Sequence, residues 1–326
     1  MARTLMYGEA MATAIIEEMQ RDENIIFYGQ NMAMTERDPM LKRFGRNRVR
    51  LAPISETAEI GIAVGAAMTG LRPIVELWMS EFMLVAMDQV INEAPRLRYM
   101  SGGQVKVPLV LKAGYGFAAG WAGQHSNCIY HTLMGIPGLK VVLPSTPADA
   151  LGLMKAAIRD DNPVVYLHPY MSMLDSGEVP EGEHVVPIGV ADVKRTGTDI
   201  TVVASGWMVK KSLAAAEALA KEGISVEVVD PRSLAPLDVN TIINSVKKTG
   251  KLVLVDQAPR HSSAAAIIAA EVAEHGFEHL RAPVTMVTAL DTSIPYSEPL
   301  EEYVLPNEEK IVKAAKAVVA KQAVTA

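Results

Sequence analysis

The chain has 326 residues, 49% of them apolar and 21% charged, and a net charge of −6. That length suits two domains of roughly 100–200 residues each, with enough apolar side chains for two cores. A balance this mildly acidic, with no basic run, argues against a nucleic-acid partner or an anionic membrane surface.

A single cysteine, Cys128, excludes an internal disulfide and fits a reducing compartment. Residues 1–19 mix acids with small apolar side chains and lack the basic-then-apolar order of a secretory signal. No apolar run approaches the ~20 residues of a bilayer span. These features point to a cytoplasmic protein, and a mature organelle protein reads the same way.

Apolar residues at helical spacing run from Leu5 through Met11, Ile15 and Met19. A short strand follows, Ile25 to Tyr28, closed by Gly29. Gln30 to Asn47 is polar and reads as a loop with a short helix. Glu56 to Gly70, rich in Ala and Gly, predicts a buried helix, Pro73 to Leu77 a strand, and Glu81 to Tyr99 a long helix. Val107 to Lys112, Leu139 to Leu143 and Val164 to Leu167 are strand candidates, with a helix from Pro147 to Arg159 between the last two. Strands alternating with helices in this way predict a parallel sheet covered on both faces. The segment Pro169 to Gly197, with Asp175-Ser176-Gly177-Glu178-Val179-Pro180-Glu181-Gly182 inside it, reads as a linker. The alternation then resumes. Strands are expected at Ile200–Ala204, Ser225–Val229 and Leu252–Val255. Helices are expected at Val209–Lys221, Val239–Lys247, Ser263–Ala273 and Asn307–Ala320. The expectation is two three-layer αβα domains, residues 1–185 and 190–326.

Several common sites are absent from the sequence. There is no phosphate-binding GxxxxGK[ST], no HExxH, no cysteine pair for zinc, no GxSxG elbow and no GxGxxG at a strand-to-helix turn. What remains is a set of polar residues in apolar, Gly-rich surroundings.

The ordered segments Pro53-Ile54-Ser55-Glu56, Gly61-Ile62-Ala63-Val64-Gly65-Ala66-Ala67-Met68, Gly70-Leu71-Arg72-Pro73 and Met87-Asp88-Gln89-Val90-Ile91-Asn92 carry a resemblance. So do Tyr99-Met100-Ser101-Gly102-Gly103, Gly123-Gln124-His125-Ser126, Pro137-Gly138-Leu139-Lys140, Ala157 to Val164 and Val229 to Asp238. The chain resembles the β subunits of the thiamine-diphosphate-dependent decarboxylating component of 2-oxo acid dehydrogenase complexes (pyruvate, branched-chain) and of acetoin dehydrogenase. The likeness covers nearly the whole chain. It implies a pyrimidine-binding domain followed by a transketolase C-terminal domain.

The resemblance assigns Glu56 as the cofactor-activating carboxylate, which accepts a hydrogen bond from the aminopyrimidine and favours its imino form. The local sequence alone reads Glu56 as a helix-start acid behind Ser55, and the same holds for Glu59. His125, in a Gly-rich loop, matches the family's active-site histidine, suited to moving a proton near neutral pH. The other six, His131, His168, His184, His261, His275 and His279, read as loop histidines on the surface. Phe82 matches an aromatic packed on the aminopyrimidine, and Ile54 lies beside the cofactor. The family's structural potassium would fall to Leu109, Ala157, Ile158, Asp160 and Asn162, oxygen donors suited to a hard cation. Those residues read equally as a plain helix end before Pro163.

No Gly-Asp-Gly occurs in the chain. The resemblance therefore places the diphosphate and its magnesium on an α chain, in an α2β2 heterotetramer. A lipoyl acyltransferase core would be a further partner. The implied activity is decarboxylation of a 2-oxo acid or cleavage of acetoin, with transfer of the acyl group to a lipoyl domain. The alternatives are a transketolase-like C–C ligase or lyase, and a non-catalytic assembly subunit. The chain departs from the pattern at Gly135, His168, Asp256-Gln257 and Ser262-Ser263, and its loop between Gly29 and Gly45 is short.

Overall fold

The computed structural model describes residues 2–30, 39–116 and 120–320, with the Ser262 side chain left aside. The middle of the 30–47 loop lies outside them, as does the centre of the Gly-rich 114–123 segment. In chain order the first elements are β1 (Ala2–Met6), α1 (Tyr7–Arg21), β2 (Ile25–Gly29), α2 (Pro39–Phe44) and β3 (Val49–Leu51). Then come α3 (Glu56–Met68), β4 (Arg72–Met79), α4 (Leu97–Met100) and β5 (Val110–Tyr115). The segment after β5 carries α5 (Ala122–His125) and leads through α6 (Tyr130–Met134) to β6 (Lys140–Val142), α7 (Pro147–Arg159), β7 (Val164–Pro169) and β8 (Ser176–Pro180).

The chain forms two compact units. The first comprises residues 1–115 and 132–188, the second 116–131 and 189–326. In the first unit the strands run β6-β7-β5-β4-β2-β3, every pair parallel. One face buries Ile25, Phe27, Ile74, Val110 and Tyr166 against Met11, Ile15, Leu151 and Met154 of α1 and α7. Alternate residues Val75, Leu77, Leu111, Ala113 and Val165 are equally buried on the other face. This is the pattern of a parallel sheet covered on both sides. Helix α7 starts where Thr146 accepts a hydrogen bond from the Asp149 amide, with Pro147 at its first position. Arg159 ties it to α1 by donating to both oxygens of Glu18, at 3.0 and 2.5 Å.

Two expectations fail here. The long helix over Glu81–Tyr99 is broken into a 3₁₀ segment (Ser80–Ala86), a π turn (Gln89–Glu93) and α4. Pro95 supplies one cause of the second break, since it lacks the amide that would continue the ladder and crowds the carbonyl four residues back. The linker segment also contains a strand. β8 pairs antiparallel with β1, and its Val179 is fully buried in the first core while Ser176, Glu178 and Pro180 face outward. An edge ribbon tolerates this proline-containing, half-polar sequence.

The second unit continues with β9 (Asp192–Arg195), β10 (Ile200–Ala204), α8 (Trp207–Ala220), β11 (Val226–Asp230), β12 (Ser233–Ala235), α9 (Val239–Thr249) and β13 (Leu252–Pro259). It ends with α10 (Ala264–His275), β14 (Thr285–Ala289), α11 (Glu298–Val304) and α12 (Glu308–Val319). Its sheet runs β14-β13-β10-β11-β9, parallel except for the edge strand β9. Val202, Val228 and Val253 pack with α8 and α12 on one face. Val203, Val229 and Leu254 pack with α9 and α10 on the other. Each unit is thus a three-layer α/β sandwich.

Candidate active site

In open parallel sheets, ligands gather at the carboxyl ends of the strands. In the first unit the polar residues collect there. Gln30 follows β2, and its amide donates to the Glu76 carbonyl of β4 at 3.2 Å. Glu56 opens α3, just past β3, and is 7% exposed. The Ser55 side chain makes no cap hydrogen bond, so the helix-start reading of these two residues lacks its usual partner. The Gln30 side-chain amide donates instead to Glu56 Oε1 at 3.0 Å and to Glu59 Oε1 at 2.8 Å. Among the described residues no donor reaches Glu56 Oε2. Glu59, 2% exposed, also accepts from the Ser55 amide at 3.1 Å, while its Oε2 is buried with no partner among the described residues. Burial raises the Glu59 carboxyl above its ordinary value against the pull of these two hydrogen bonds, and the Glu56 charge adds to the rise.

Phe82 is half-buried in the 3₁₀ segment after β4, and Ile54 is 81% exposed just before Glu56. Further along the same sheet, Lys112 of β5 pairs with Glu76 of β4, directly opposite it in register. His168, expected on a surface loop, instead lies near the end of β7 and is buried, because both faces of that strand are covered. Burial, then the Lys112 charge, push its imidazole well below the ordinary value, and its Nδ1 has no partner among the described residues.

His125 lies at the end of α5, in the segment that belongs to the second unit, and is half-buried. The loop around it is pinned at several points. The Gly120 amide donates to Glu301 Oε1 and Oε2 at 3.0 and 3.1 Å, Gly116 to the Asn127 carbonyl at 2.9 Å, and Asn127 Nδ2 to the Gly123 carbonyl at 2.5 Å. Asp256 accepts from the Tyr130 hydroxyl and from the Ala258 and Ala265 amides.

The five positions matched to potassium all carry protein hydrogen bonds. Leu109 O accepts from the Val164 amide, Ala157 O from the Asp160 amide, and Ile158 O from Arg72 Nε at 2.9 Å. Asp160 accepts from Lys140 and Asn162, and Asn162 Oδ1 from Arg98 Nη1 at 2.7 Å. Burial works to raise the Asp160 carboxyl, but the bonds from Lys140 and Asn162 outweigh it and hold it below the usual range. Lys140, Arg72 and Arg98 thus all donate to oxygens of this turn.

Gln30, Glu59, Glu76 and Lys112 were not picked out as site residues by sequence reasoning. A signal was present: two acids three apart opening an otherwise uncharged helix, and opposite charges inside neighbouring apolar strands.

The family model described as transketolase, pyrimidine binding domain, matches residues 3–172, and that described as transketolase, C-terminal domain, matches residues 189–311. The chain belongs to this transketolase-like family. Among curated relatives of the family, the chain is 41% identical to an acetoin:2,6-dichlorophenolindophenol oxidoreductase subunit beta of Bacillus subtilis, over 96% of each chain. It is 43% identical to a pyruvate dehydrogenase E1 component subunit beta of Rhizobium meliloti, over 97% of this chain and 70% of that one. A 2-oxoisovalerate dehydrogenase subunit beta of Bacillus subtilis is 39% identical, over 95% and 97%. A solved split-gene transketolase, described as an inactive beta4 tetramer, has the same transketolase-like fold. Its TM-score is 0.79 at 24% identity, covering 97% of this chain and 98% of that one. Thiamine diphosphate is the cofactor expected for this family. A buried carboxylate with one oxygen held by Gln30 and the other without a donor among the described residues fits a ring N–H of that cofactor.

Proposed function

We propose that this chain is the β subunit of a thiamine-diphosphate-dependent dehydrogenase. It decarboxylates a 2-oxo acid or cleaves acetoin, works only with an α chain, and passes the acyl group to a lipoyl domain. The observation that carries the reading is the 39–43% identity, over at least 95% of this chain, to β subunits of three such enzymes. When bound, thiamine diphosphate supplies a carbanion nucleophile and an electron sink.

The residues of this chain supply proton control and shape. Glu56 Oε2 would accept a hydrogen bond from a ring N–H of the aminopyrimidine, in a buried site where a charge-assisted contact gains strength. Gln30 fixes the other oxygen and so sets the direction of the carboxylate. Phe82 would offer an aromatic face to the ring, and Ile54 an apolar flank. His125 holds or moves a proton at an imidazole nitrogen as charge changes on the substrate. The α chain holds the diphosphate and magnesium, since this chain lacks Gly-Asp-Gly. An α2β2 assembly, a lipoyl acyltransferase core and a cytoplasmic location belong to the same reading.

The test is reconstitution. The purified chain with thiamine diphosphate and magnesium should be inactive alone and active once the α chain is added. In that complex Glu56→Gln should cut turnover by on the order of 10²–10⁴-fold without loss of assembly. Turnover by the chain alone, or normal deuterium exchange at the cofactor C2 in the Glu56→Gln complex, would refute the reading.

A further inference from the structure

Gln30 has a single side-chain amide nitrogen with two hydrogens, and the structure gives each of them a carboxylate: Glu56 Oε1 at 3.0 Å and Glu59 Oε1 at 2.8 Å. From this geometry we infer that Glu59 is a positioning residue for Glu56, acting through the shared Gln30 amide. The inference deepens the role proposed for Glu56 and rests on it.

Two further contacts hold Glu59 in place, and a third holds Gln30. The Ser55 amide donates to the same Oε1 at 3.1 Å, so Glu59 closes the first turn of α3 from inside. The Tyr28 hydroxyl donates to the Glu59 carbonyl, tying the helix to β2. The Gln30 backbone amide is fixed on the Glu76 carbonyl at 3.2 Å. The amide that orients Glu56 is therefore anchored at its backbone by β4 and at its tip by Glu59. Without Glu59, one amide hydrogen would lose its acceptor, and the side chain would be free to turn away from Glu56.

The second carboxylate has an electrostatic cost. Two carboxylates on one neutral donor in a buried pocket repel each other, so one of them tends to hold the proton. Glu59 is the one raised, by burial first. Its Oε2 is buried and unpartnered among the described residues, a poor place for charge and a tolerable one for a neutral acid. Charged or neutral, Glu59 accepts at Oε1 from Gln30 and Ser55, so the bridge does not depend on its charge.

The experiment uses the full chain labelled with ¹⁵N-glutamine, and the complex with its α chain. In the wild-type chain without cofactor, both hydrogens of the Gln30 side-chain amide should exchange slowly. In Glu59→Leu that protection should fall. In the complex, Glu59→Leu should lower kcat by about 10–100-fold, the scale of a small misplacement of a reacting group, with KM changed less than about twofold. Glu59→Gln, which keeps the acceptor for Gln30 and Ser55, should recover most of that loss and restore the amide protection. If Glu59→Leu does not fold, Gln30→Met removes the bridge from the other side and should lower kcat alone by a similar factor. Equal Gln30 amide exchange in the wild type and Glu59→Leu overturns the inference, as does wild-type kcat in Gln30→Met. An active Glu56→Gln complex would instead remove the catalytic role of Glu56, and the amide exchange would still decide whether Glu59 anchors Gln30.

Discussion

Replacing Lys112 with methionine strips Glu76 of its cationic partner inside the central strands of the first sheet. The two residues stand directly opposite each other on β4 and β5, with side chains 6% and 12% exposed. Water therefore compensates little for the lost charge. Removing one member of a buried pair costs about 3–5 kcal/mol, because the remaining ion loses its facing opposite charge. For a unit of this size that is a fall in Tm of about 6–20 °C, at roughly 2–4 °C per kcal/mol. The double variant Lys112→Met with Glu76→Gln removes both charges and should recover at least half of the loss. Since the chain forms two units, the readout should be local. Hydrogen exchange of the β5 amides, Val110–Tyr115, followed in rising urea, reports the first unit alone. A cost below about 1 kcal/mol for Lys112→Met, or a double variant no more stable than the single, would show that the pair is not buried as described.

His168 makes the stability of the first unit depend on pH. Burial, and then Lys112, hold its folded imidazole well below the ordinary 6.5. Below that value the unfolded chain takes up a proton that the folded chain refuses, so stability is lost as pH falls from about 6.5 toward the folded value. His168→Gln should flatten urea midpoints measured between pH 7 and 5, and an unchanged slope would contradict this. Helix α3 makes a separate prediction. A Cβ at Gly65 would meet nothing within 4 Å, and the neighbouring Ile62 and Met68 are exposed. Gly65→Leu should thus leave the isolated chain folded yet block assembly with the α chain, or β–β pairing, across an apolar interface of more than ~2,000 Å². Size-exclusion of the co-expressed pair decides it, and an intact heterotetramer carrying the substitution would place α3 outside that interface.

The parts of the fold legible in the sequence were those with local causes. Helix α7 has the predicted bounds, Pro147–Arg159, because Thr146 caps it, Pro147 opens it and Pro163 lies just beyond its end. Strands such as Ile200–Ala204 announce themselves as short β-branched runs. β8 was not legible, because its strand character comes from pairing with β1 in a distant part of the chain. β14 and α11 were missed because their local signals are weak: the first is a five-residue run in a Pro-rich region, and the second is only seven residues long. At the site, Glu56 could be named from its surrounding segments. Its dependence on Gln30 could not, since 26 residues separate the two and only the sheet brings them together.

The segment 116–131 belongs to the second unit but is made before the last third of the first. On the ribosome it emerges long before Asp256, which accepts from Tyr130, and before Glu301, which accepts from Gly120. Domains that fold as units during synthesis usually do so from the N-terminus onward. Here the second unit receives an early instalment that waits for its partners, while residues 132–188 complete the first. A gene fragment that starts at Gly189 would lack the donors that Asp256 and Glu301, both buried, receive from this segment. The two units are separate cores but not separable pieces of chain.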